Sequence, residues 1–220
     1  AYEAIKYGKQ TVMIAGGAEE LSATEAAVFD VLFATSCRND TPTTSPRPYD
    51  RDRDGLVIGE GAASLILEEY EHAQARGARI YAEVVGYGSN TDGVHVTQPN
   101  CPTMAQCMRL SLEDAGLQAA DIGYINGHGT ATEQGDIVES QATMAVLGGQ
   151  TPISSLKGYF GHTLGACGAI EAWLSIEMMC RNTFVPTLNL ENVDDACAPL
   201  AYIQGSAQKF KAEYSMSNNI

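Results

Sequence analysis

Two histidines of this chain lie in glycine-containing turns that follow short apolar runs. His128 follows the run 122–125 within the tetrapeptide Asn-Gly-His-Gly, and His162 lies in Phe-Gly-His-Thr, shortly after the run 152–156. Glycine beside a residue lets the backbone adopt unusual dihedral angles and lets a ligand approach closely. We therefore interpret both histidines as functional residues, in preference to ordinary loop residues.

Other polar groups follow the same two runs. Lys157 comes directly after the run 152–156, and Thr130 and Thr132 lie on the loop that carries His128. In layered α/β proteins, ligands bind beyond the carboxyl ends of parallel strands. The sequence thus predicts one cavity with two imidazoles, one ammonium group and two hydroxyls, which suits a carbonyl oxygen on which negative charge develops.

Several other chemistries have no candidate residues. Neither His-x-x-x-His nor Cys-x-x-Cys occurs, and no carboxylate lies in ligand register with the histidines, so we predict no metal. Gly86-Tyr-Gly88 lacks the third glycine of a dinucleotide-binding turn, and a phosphate-binding Gly-Lys-Ser/Thr is absent. Without Gly-x-Ser-x-Gly, a serine hydrolase has no nucleophile. The remaining histidines, His72 and His95, are interpreted as surface residues.

Composition excludes further classes of protein. The 220 residues are 45% hydrophobic, enough for a sizeable core. They carry 13 basic and 27 acidic groups, and the net charge of −14 argues against nucleic-acid binding, which needs a basic surface. No apolar run approaches the ~18 residues of a bilayer span, so we expect no membrane insertion. Six cysteines without a paired spacing fit reduced thiols in the cytoplasm.

Apolar runs that alternate with helical patterns predict an α/β layered architecture with mostly buried sheets. Strands are predicted over 11–15, 64–67, 80–87, 122–125, 152–156, 202–203 and 214–217. Helices are predicted over 1–8, after the capping box Ser22–Glu25, and over 68–78, 104–116, 134–147 and about 161–181. The last helix is apolar on nearly all sides and should therefore be central and buried.

A run of alternating charge, Tyr49-Asp-Arg-Asp-Arg-Asp-Gly55, follows the proline-rich loop 35–50. Taken alone, such a run is typical of a solvated or self-paired turn. We interpret it in that way from the residues, although its sequence also contributes to a family resemblance.

Three stretches resemble β-ketoacyl-acyl-carrier-protein synthases of the elongating type, which have the thiolase-like fold. They are 126–132 with Gly135-Asp136, 155–157 through 161–168, and 49–55 with 59–61. The resemblance runs through essentially the whole chain and implies a layered αβαβα sandwich, of which this chain is roughly the latter half. It implies that 1–88 is the remainder of the N-terminal half and 89–220 most of the C-terminal half. The nucleophilic cysteine would lie upstream of Ala1, so we expect a partial chain.

The resemblance also implies an activity. These synthases perform a decarboxylative Claisen condensation of malonyl carrier protein with an acyl-enzyme thioester. By resemblance, His128 and His162 would donate to the malonyl thioester oxygen and stabilise the enolate. Lys157 would set the electrostatics of the site and the protonation of His162, and Thr130 and Thr132 would bind the phosphopantetheine arm.

Further residues match the family in supporting positions. Asp136 and Glu139 would lie behind the site near Lys157; the alternative is that both only form pairs at the surface. Three residues match positions that hold a structural cation in some members: Asn126, Glu171 and Asn218. A carboxylate inside an otherwise apolar helix, as at Glu171, needs a partner of some kind.

The implied enzyme has no cofactor of its own, because phosphopantetheine arrives on the acyl carrier protein. It would work as a homodimer or as a ketosynthase heterodimer, and the basic patch that docks the carrier would lie in the other half. A non-catalytic chain-length-factor subunit remains an alternative, although the retained His128, Lys157 and His162 favour the enzyme. A thiolase is disfavoured because nothing here matches its second cysteine.

Overall fold

The computed structural model describes residues 1–94 and 98–220, so His95 lies outside the described residues. The helices are α1 Tyr2–Lys6, α2 Ala23–Val31, α3 Tyr70–Ala75, α4 Cys101–Ala115, α5 Glu133–Leu147, α6 Lys157–Phe160 and α7 Cys167–Arg181. The strands are β1 Val12–Glu19, β2 Gly61–Glu68, β3 Ile122–Asn126, β4 Pro152–Ser154, β5 Thr183–Phe184, β6 Ala201–Tyr202, β7 Gln208–Lys209 and β8 Tyr214–Ser217. None of these helices combines the length and the apolar character that crossing a membrane requires.

Helix ends follow from local side-chain chemistry. The predicted capping box of α2 is present: the Ser22 hydroxyl accepts from the Glu25 N–H, and the Glu25 carboxylate accepts from the Ser22 N–H. Asn100 caps α4 by accepting from the Thr103 N–H at 2.9 Å. The helix ends at Gly116, whose φ of +67° is a left-handed conformation that glycine adopts without a steric penalty.

A four-stranded parallel sheet positions the predicted site. Its strand order is β6-β4-β3-β8, while β1 and β2 form a separate antiparallel pair and β5 and β7 a short one. In the parallel sheet, Asn126 at the end of β3 lies opposite Ser154 at the end of β4. The loops that carry His128 and Lys157 therefore leave the sheet side by side.

Helix α7 forms a layer between the two larger sheets. It contacts β1 and β2 on one side and β5 and β8 on the other, while α4 and α5 pack together. Neighbouring residues of β3 point to opposite faces: Ile125 packs with Met108 of α4, and Tyr124 packs with Met178 of α7. This sequence of layers confirms the predicted α/β layered class.

Two predictions of burial were wrong. β1 and β2 alternate between exposed and half-buried positions, and the facing residues Ile14 and Ile66 are 74% and 71% exposed. Helix α7 lies between the sheets but is not buried on all sides, since Trp173 is 49% exposed. A continuous apolar run indicates that both faces of a strand or helix can be buried by other elements. It does not show that those elements lie within these 220 residues.

The predicted strand over 80–87 forms no ladder within the described part of the chain. This segment instead packs along α4, where a Cβ on Gly86 would overlap the backbone of Ser111. The Tyr87 N–H donates to the Asp114 carboxylate at 3.1 Å. A β-rich composition alone does not distinguish a paired strand from an extended segment packed on a helix.

Candidate active site

Two buried carboxylates of α5 hold the loop that carries His128. Glu139 accepts from the N–H groups of His128 at 2.6 Å and Gly129 at 2.8 Å, and Asp136 accepts from the Ala131 N–H at 3.1 Å. Both carboxylates are almost fully buried. The loop backbone is therefore fastened to the helix that follows it, which fixes the point from which the imidazole projects.

The alternative that Asp136 and Glu139 only form pairs at the surface was wrong, because both are buried. Glu139 and Lys157 both hydrogen-bond to the backbone of His128, which agrees with a position behind the site near Lys157. The partners of both carboxylates include backbone amides that a sequence does not display. Burial raises the pKa of Asp136 to about 7, against the opposing effects of the Tyr49 N–H and the Arg53 guanidinium.

The alternating-charge run is only partly solvated. Arg51, Asp52 and Asp54 are exposed, and Arg51 pairs with Asp52, so the interpretation as a solvated or self-paired turn holds for this part of the run but not for the rest. Tyr49 and Asp50 are fully buried, and the side chain of Arg53 is 2% exposed. Arg53 donates to the Thr132 carbonyl at 3.2 Å and to Asp194 at 2.6 Å. Alternating charges of this kind can neutralise one another inside a protein, and here they link the His128 loop to the segment before β6.

Lys157 lies at the centre of the buried polar groups. Its Nζ donates to Glu171 Oε1 at 2.7 Å and to the His128 carbonyl at 2.6 Å, and lies 3.1 Å from His128 Nδ1. Burial alone would lower the pKa of Lys157, but Glu171 and Cys167 together outweigh it and raise that pKa. Burial also raises the pKa of Glu171, yet this short contact favours the ionised pair. Glu171 thus has the partner that its position required.

Hydrogen bonds define the tautomers of both histidines. A lysine ammonium group only donates, so His128 Nδ1 accepts from Lys157 and the ring proton lies on Nε2. His162 Nδ1 accepts from the Leu164 N–H at 3.2 Å, which also places its proton on Nε2. The two rings lie 4.9 Å apart between centroids at 84°. The pair therefore presents two N–H donors.

Both imidazoles are neutral. Burial, followed by the positive charge of Lys157, lowers the pKa of His162 to about 3. Burial, Lys157 and His162 lower the pKa of His128 well below its ordinary value. By the family resemblance, Lys157 would set the protonation of His162. In the structure, the Lys157 ammonium hydrogen-bonds to His128, and its positive charge lowers the pKa of both rings.

We expect neither His128 nor His162 to titrate near pH 6.5, because burial disfavours the imidazolium form. Below about pH 6.5 the two histidines become protonated in the unfolded chain but stay neutral in the folded protein. The free energy of unfolding therefore decreases as the pH falls. NMR of the full-length protein labelled in its histidine rings should show two signals that stay constant between about pH 5.5 and about pH 8. A histidine-containing peptide in the same sample is the reference, and a transition near 6.5 in either buried ring would contradict the expectation.

A short extended segment, 57–59, holds His162 in place. The His162 N–H donates to the Val57 carbonyl at 2.7 Å, and the Gly59 N–H donates to the His162 carbonyl at 2.9 Å. A Cβ on Gly59 would overlap the carbonyl oxygen of Phe160. Glycine is therefore required where this segment passes the turn that carries His162.

Replacing Gly59 with alanine should push that turn away from the segment. We expect a destabilisation of about 1–3 kcal/mol in denaturant unfolding, because the new Cβ and the carbonyl oxygen of Phe160 cannot occupy the same space. Gly168→Ala is the matched control, since its Cβ would meet only ordinary contacts at 3.6 Å. Equal effects of the two substitutions would contradict the proposed fit.

One cavity of about 290 Å³ collects four of the predicted residues: His128, His162, Thr130 and Thr132. The two threonine hydroxyls hydrogen-bond to each other at 2.8 Å. Apolar side chains complete much of the wall, including those of Phe29, Leu56, Met104 and Leu164. The structure therefore brings the five predicted side chains together. Four of them line the cavity, and the Lys157 ammonium lies behind His128.

Cys167 joins this group without having been predicted there. Its sulfur, a ring nitrogen of His128 and a carboxylate oxygen of Glu171 lie within 4.8 Å of one another, so a carboxylate does approach the histidines. The positive charge among them is supplied by Lys157 Nζ, which contacts both His128 and Glu171. Burial, opposed by Lys157, raises the pKa of Cys167 to about 12. The thiol is therefore neutral and a poor nucleophile.

The residues matched to a structural cation do not form a fitting set. Asn126 Oδ1 accepts from the Ser217 hydroxyl at 3.1 Å, and the buried unpartnered atoms of Asn126 and Asn218 are amide nitrogens. Among the buried atoms of these three side chains, Glu171 Oε2 is the one oxygen without a partner in the described residues. Hard cations take oxygen ligands, so we derive no step through such an ion.

Comparison with known proteins identifies two matching family models. Residues 81–191 match the model of the β-ketoacyl synthase C-terminal domain, and residues 1–73 match that of the N-terminal domain. The 3-oxoacyl-[acyl-carrier-protein] synthase 2 of Vibrio cholerae is 42% identical over 98% of this chain and 54% of its own length. Synthase 1 of Escherichia coli is 42% identical over 91% of this chain and 49% of its own length. The chain spans about half the length of these curated relatives.

Solved structures share the fold. A β-ketoacyl synthase from Burkholderia phymatum is 65% identical with a TM-score of 0.98, and the match covers all of this chain and 54% of that one. A type II PKS acyl-carrier protein in complex with its ketosynthase bound to the hexaketide gives 37% identity and a TM-score of 0.93 over 98% of this chain and 54% of that one. The thiolase-like class of the fold is confirmed, with about half of each solved chain represented.

Proposed function

The chain belongs to the β-ketoacyl synthase family, and we propose that it is part of an acyltransferase that condenses malonyl carrier protein with an acyl-enzyme thioester during fatty-acid or polyketide-like chain elongation. The observation that carries this proposal is the pair of neutral Nε2–H donors on His128 and His162 at one cavity. The names of the curated relatives, 3-oxoacyl-[acyl-carrier-protein] synthases, support the same activity.

In the proposed reaction, the malonyl thioester oxygen accepts hydrogen bonds from both imidazoles. The bond to the terminal carboxylate breaks, carbon dioxide leaves, and the electron pair moves into an enolate whose charge lies on that oxygen. Preorganised donors in a dry site stabilise such a charge strongly. Lys157 contributes by holding Nδ1 of His128 as an acceptor, so that Nε2 keeps its proton for the substrate.

The enolate carbon then attacks the acyl thioester, a carbon–carbon bond forms, and the released enzyme thiolate takes up a proton. We assign the acyl-bearing cysteine to the part of the synthase outside these 220 residues. Thr130 and Thr132 would bind the phosphopantetheine arm, since their hydroxyls line the cavity. That arm arrives on the carrier protein, and no metal or resident cofactor enters the proposed steps. Asp136 and Glu139 would act only by holding the loop.

The setting of the enzyme is proposed on separate grounds. An acyl carrier protein is the proposed partner, and a homodimer or a ketosynthase heterodimer the proposed assembly; one similar solved protein is named the ishigamide ketosynthase/chain length factor. Six free cysteines support a reducing, cytoplasmic location. We assign 1–88 and 89–220 to different halves of the synthase; that the N-terminal family model matches 1–73 and the C-terminal model 81–191 supports a division of the chain into two such parts.

The full-length protein should be incubated with acyl and malonyl carrier proteins, the latter labelled in its free carboxylate. Release of labelled carbon dioxide and a 3-oxoacyl product in the mass spectrum are expected. A product that forms only when a second ketosynthase subunit is added would support the chain-length-factor alternative. No release of carbon dioxide under either condition would overturn the proposed function.

A further inference from the structure

Tyr49 contacts both carboxylates that hold the His128 loop. Its backbone N–H donates to Asp136 Oδ2 at 2.6 Å, and its hydroxyl donates to Glu139 Oε2 at 2.8 Å. The residue is fully buried. One residue of the alternating-charge run therefore reaches both anchors of a loop that lies about eighty positions further along the chain.

The hydroxyl of Tyr49 also determines how close the loop can come. A Cβ on Gly127 would overlap this oxygen, and a Cβ on Gly129 would lie 2.9 Å from it. The loop backbone is thus packed directly against the phenol. On its other side the ring packs against Tyr202, with 5.0 Å between the centroids.

Glu139 is the link between Tyr49 and the imidazole. Its two oxygens accept from three donors: the N–H of His128, the N–H of Gly129 and the hydroxyl of Tyr49. Oε2 accepts from both the Gly129 N–H and the Tyr49 hydroxyl. Removal of the hydroxyl would leave that oxygen with one donor fewer at a buried position, and the loss of a donor to a buried carboxylate is costly.

Burial and the neighbouring carboxylates of Glu139 and Asp136 raise the pKa of Tyr49 well above its usual value. The phenol is therefore protonated around neutral pH. Its role as a donor to Glu139 is permanent, in contrast to a group that titrates during the reaction.

We propose that Tyr49 is a positioning residue, whose hydroxyl fixes Glu139 so that the Nε2–H of His128 stays directed at the thioester oxygen. This inference rests on the proposed function. Because Tyr49 itself does not touch the substrate, its loss should weaken stabilisation of the enolate without changing the binding of the carrier thioester. Such a loss appears in kcat and not in KM.

The test uses the full-length protein carrying Tyr49→Phe. We expect kcat for carbon dioxide release to fall about 10- to 100-fold with KM within about twofold of the wild-type value. Tyr202→Phe is the matched control: it removes a hydroxyl from the adjacent ring, but that hydroxyl donates to the Ala198 carbonyl at 3.0 Å. The control should keep kcat within about twofold. Wild-type kcat in a folded Tyr49→Phe protein overturns the inference.

A second variant, Glu139→Gln, tests the route through the carboxylate. This substitution keeps the side-chain volume and should lower kcat. Adding Tyr49→Phe to it should change kcat little further, because both substitutions act through one hydrogen-bond network. Where Tyr49→Phe folds, fully additive effects of the two substitutions on kcat overturn the inference. Where it does not fold, wild-type kcat in Glu139→Gln overturns it. Wild-type protein that releases no carbon dioxide contradicts the proposed function instead, so the two failures are distinct.

Discussion

Replacing His128 with alanine is expected to lower the rate of malonyl-thioester decarboxylation by at least about 100-fold, while acylation of the synthase cysteine continues. The reason is geometric. His128 supplies one of two N–H donors at the cavity, and the remaining ring of His162 lies beside it and cannot replace the lost bond. Acylation precedes the appearance of the enolate and does not require this donor in the proposed scheme.

The two steps can be measured separately on the full-length protein. Intact-protein mass spectrometry reports the acyl-enzyme, and labelled carbon dioxide reports decarboxylation. His72→Ala is the control, because His72 lies at the surface on α3 and contacts Glu68 outside the cavity. If the His128→Ala protein decarboxylates malonyl carrier protein at the rate of the control, the role assigned to this imidazole is wrong.

Breaking the Lys157–Glu171 pair should have the largest effect on stability. Both side chains are at most 1% exposed, and Nζ and Oε1 lie 2.7 Å apart. Glu171→Ala would leave a buried ammonium without its counter-ion, which costs about 3–5 kcal/mol of unfolding free energy. The raised pKa of Lys157 gives the sign of the pH dependence: this contribution is present below the lysine's unfolded pKa and is lost as pH rises through its folded pKa.

Denaturant unfolding of the full-length protein measures this cost. The double substitution Lys157→Met with Glu171→Leu should recover much of the stability, since apolar groups can replace a buried pair, but His128 Nδ1 would lose its donor and activity should not return. Glu177→Ala is the control, because Glu177 pairs with exposed Arg181 on the same helix. Comparable destabilisation by Glu171→Ala and Glu177→Ala would contradict the assignment.

Sequence patterns predicted the parts of the fold that depend on local chemistry. The capping box at Ser22, the helix stop at Gly116 and the apolar strand before Asn126 all depend on residues close together in the chain. The convergence of His128 and Lys157 was also predictable, because parallel strands bring their carboxyl ends to one edge.

The remaining features depend on partners that residue types do not reveal. Glu139 and Asp136 bind backbone amides, and Tyr49 lies in a run whose charges are paired with distant segments. Whether the segment 80–87 pairs as a strand depends on which neighbour reaches it, and here that neighbour is helix α4. Tertiary context decides each of these cases.

The tautomers of the two histidines have a consequence for inhibitor design. Each ring offers the cavity a proton but no net charge, and the permanent cation lies behind His128. A compound that places one uncharged ketone, lactone or amide oxygen between the rings can accept a hydrogen bond from each Nε2–H. A carboxylic acid in the same place must give up its hydration without gaining an ion pair at the wall. Neutral carbonyl scaffolds are therefore better starting points than acidic ones.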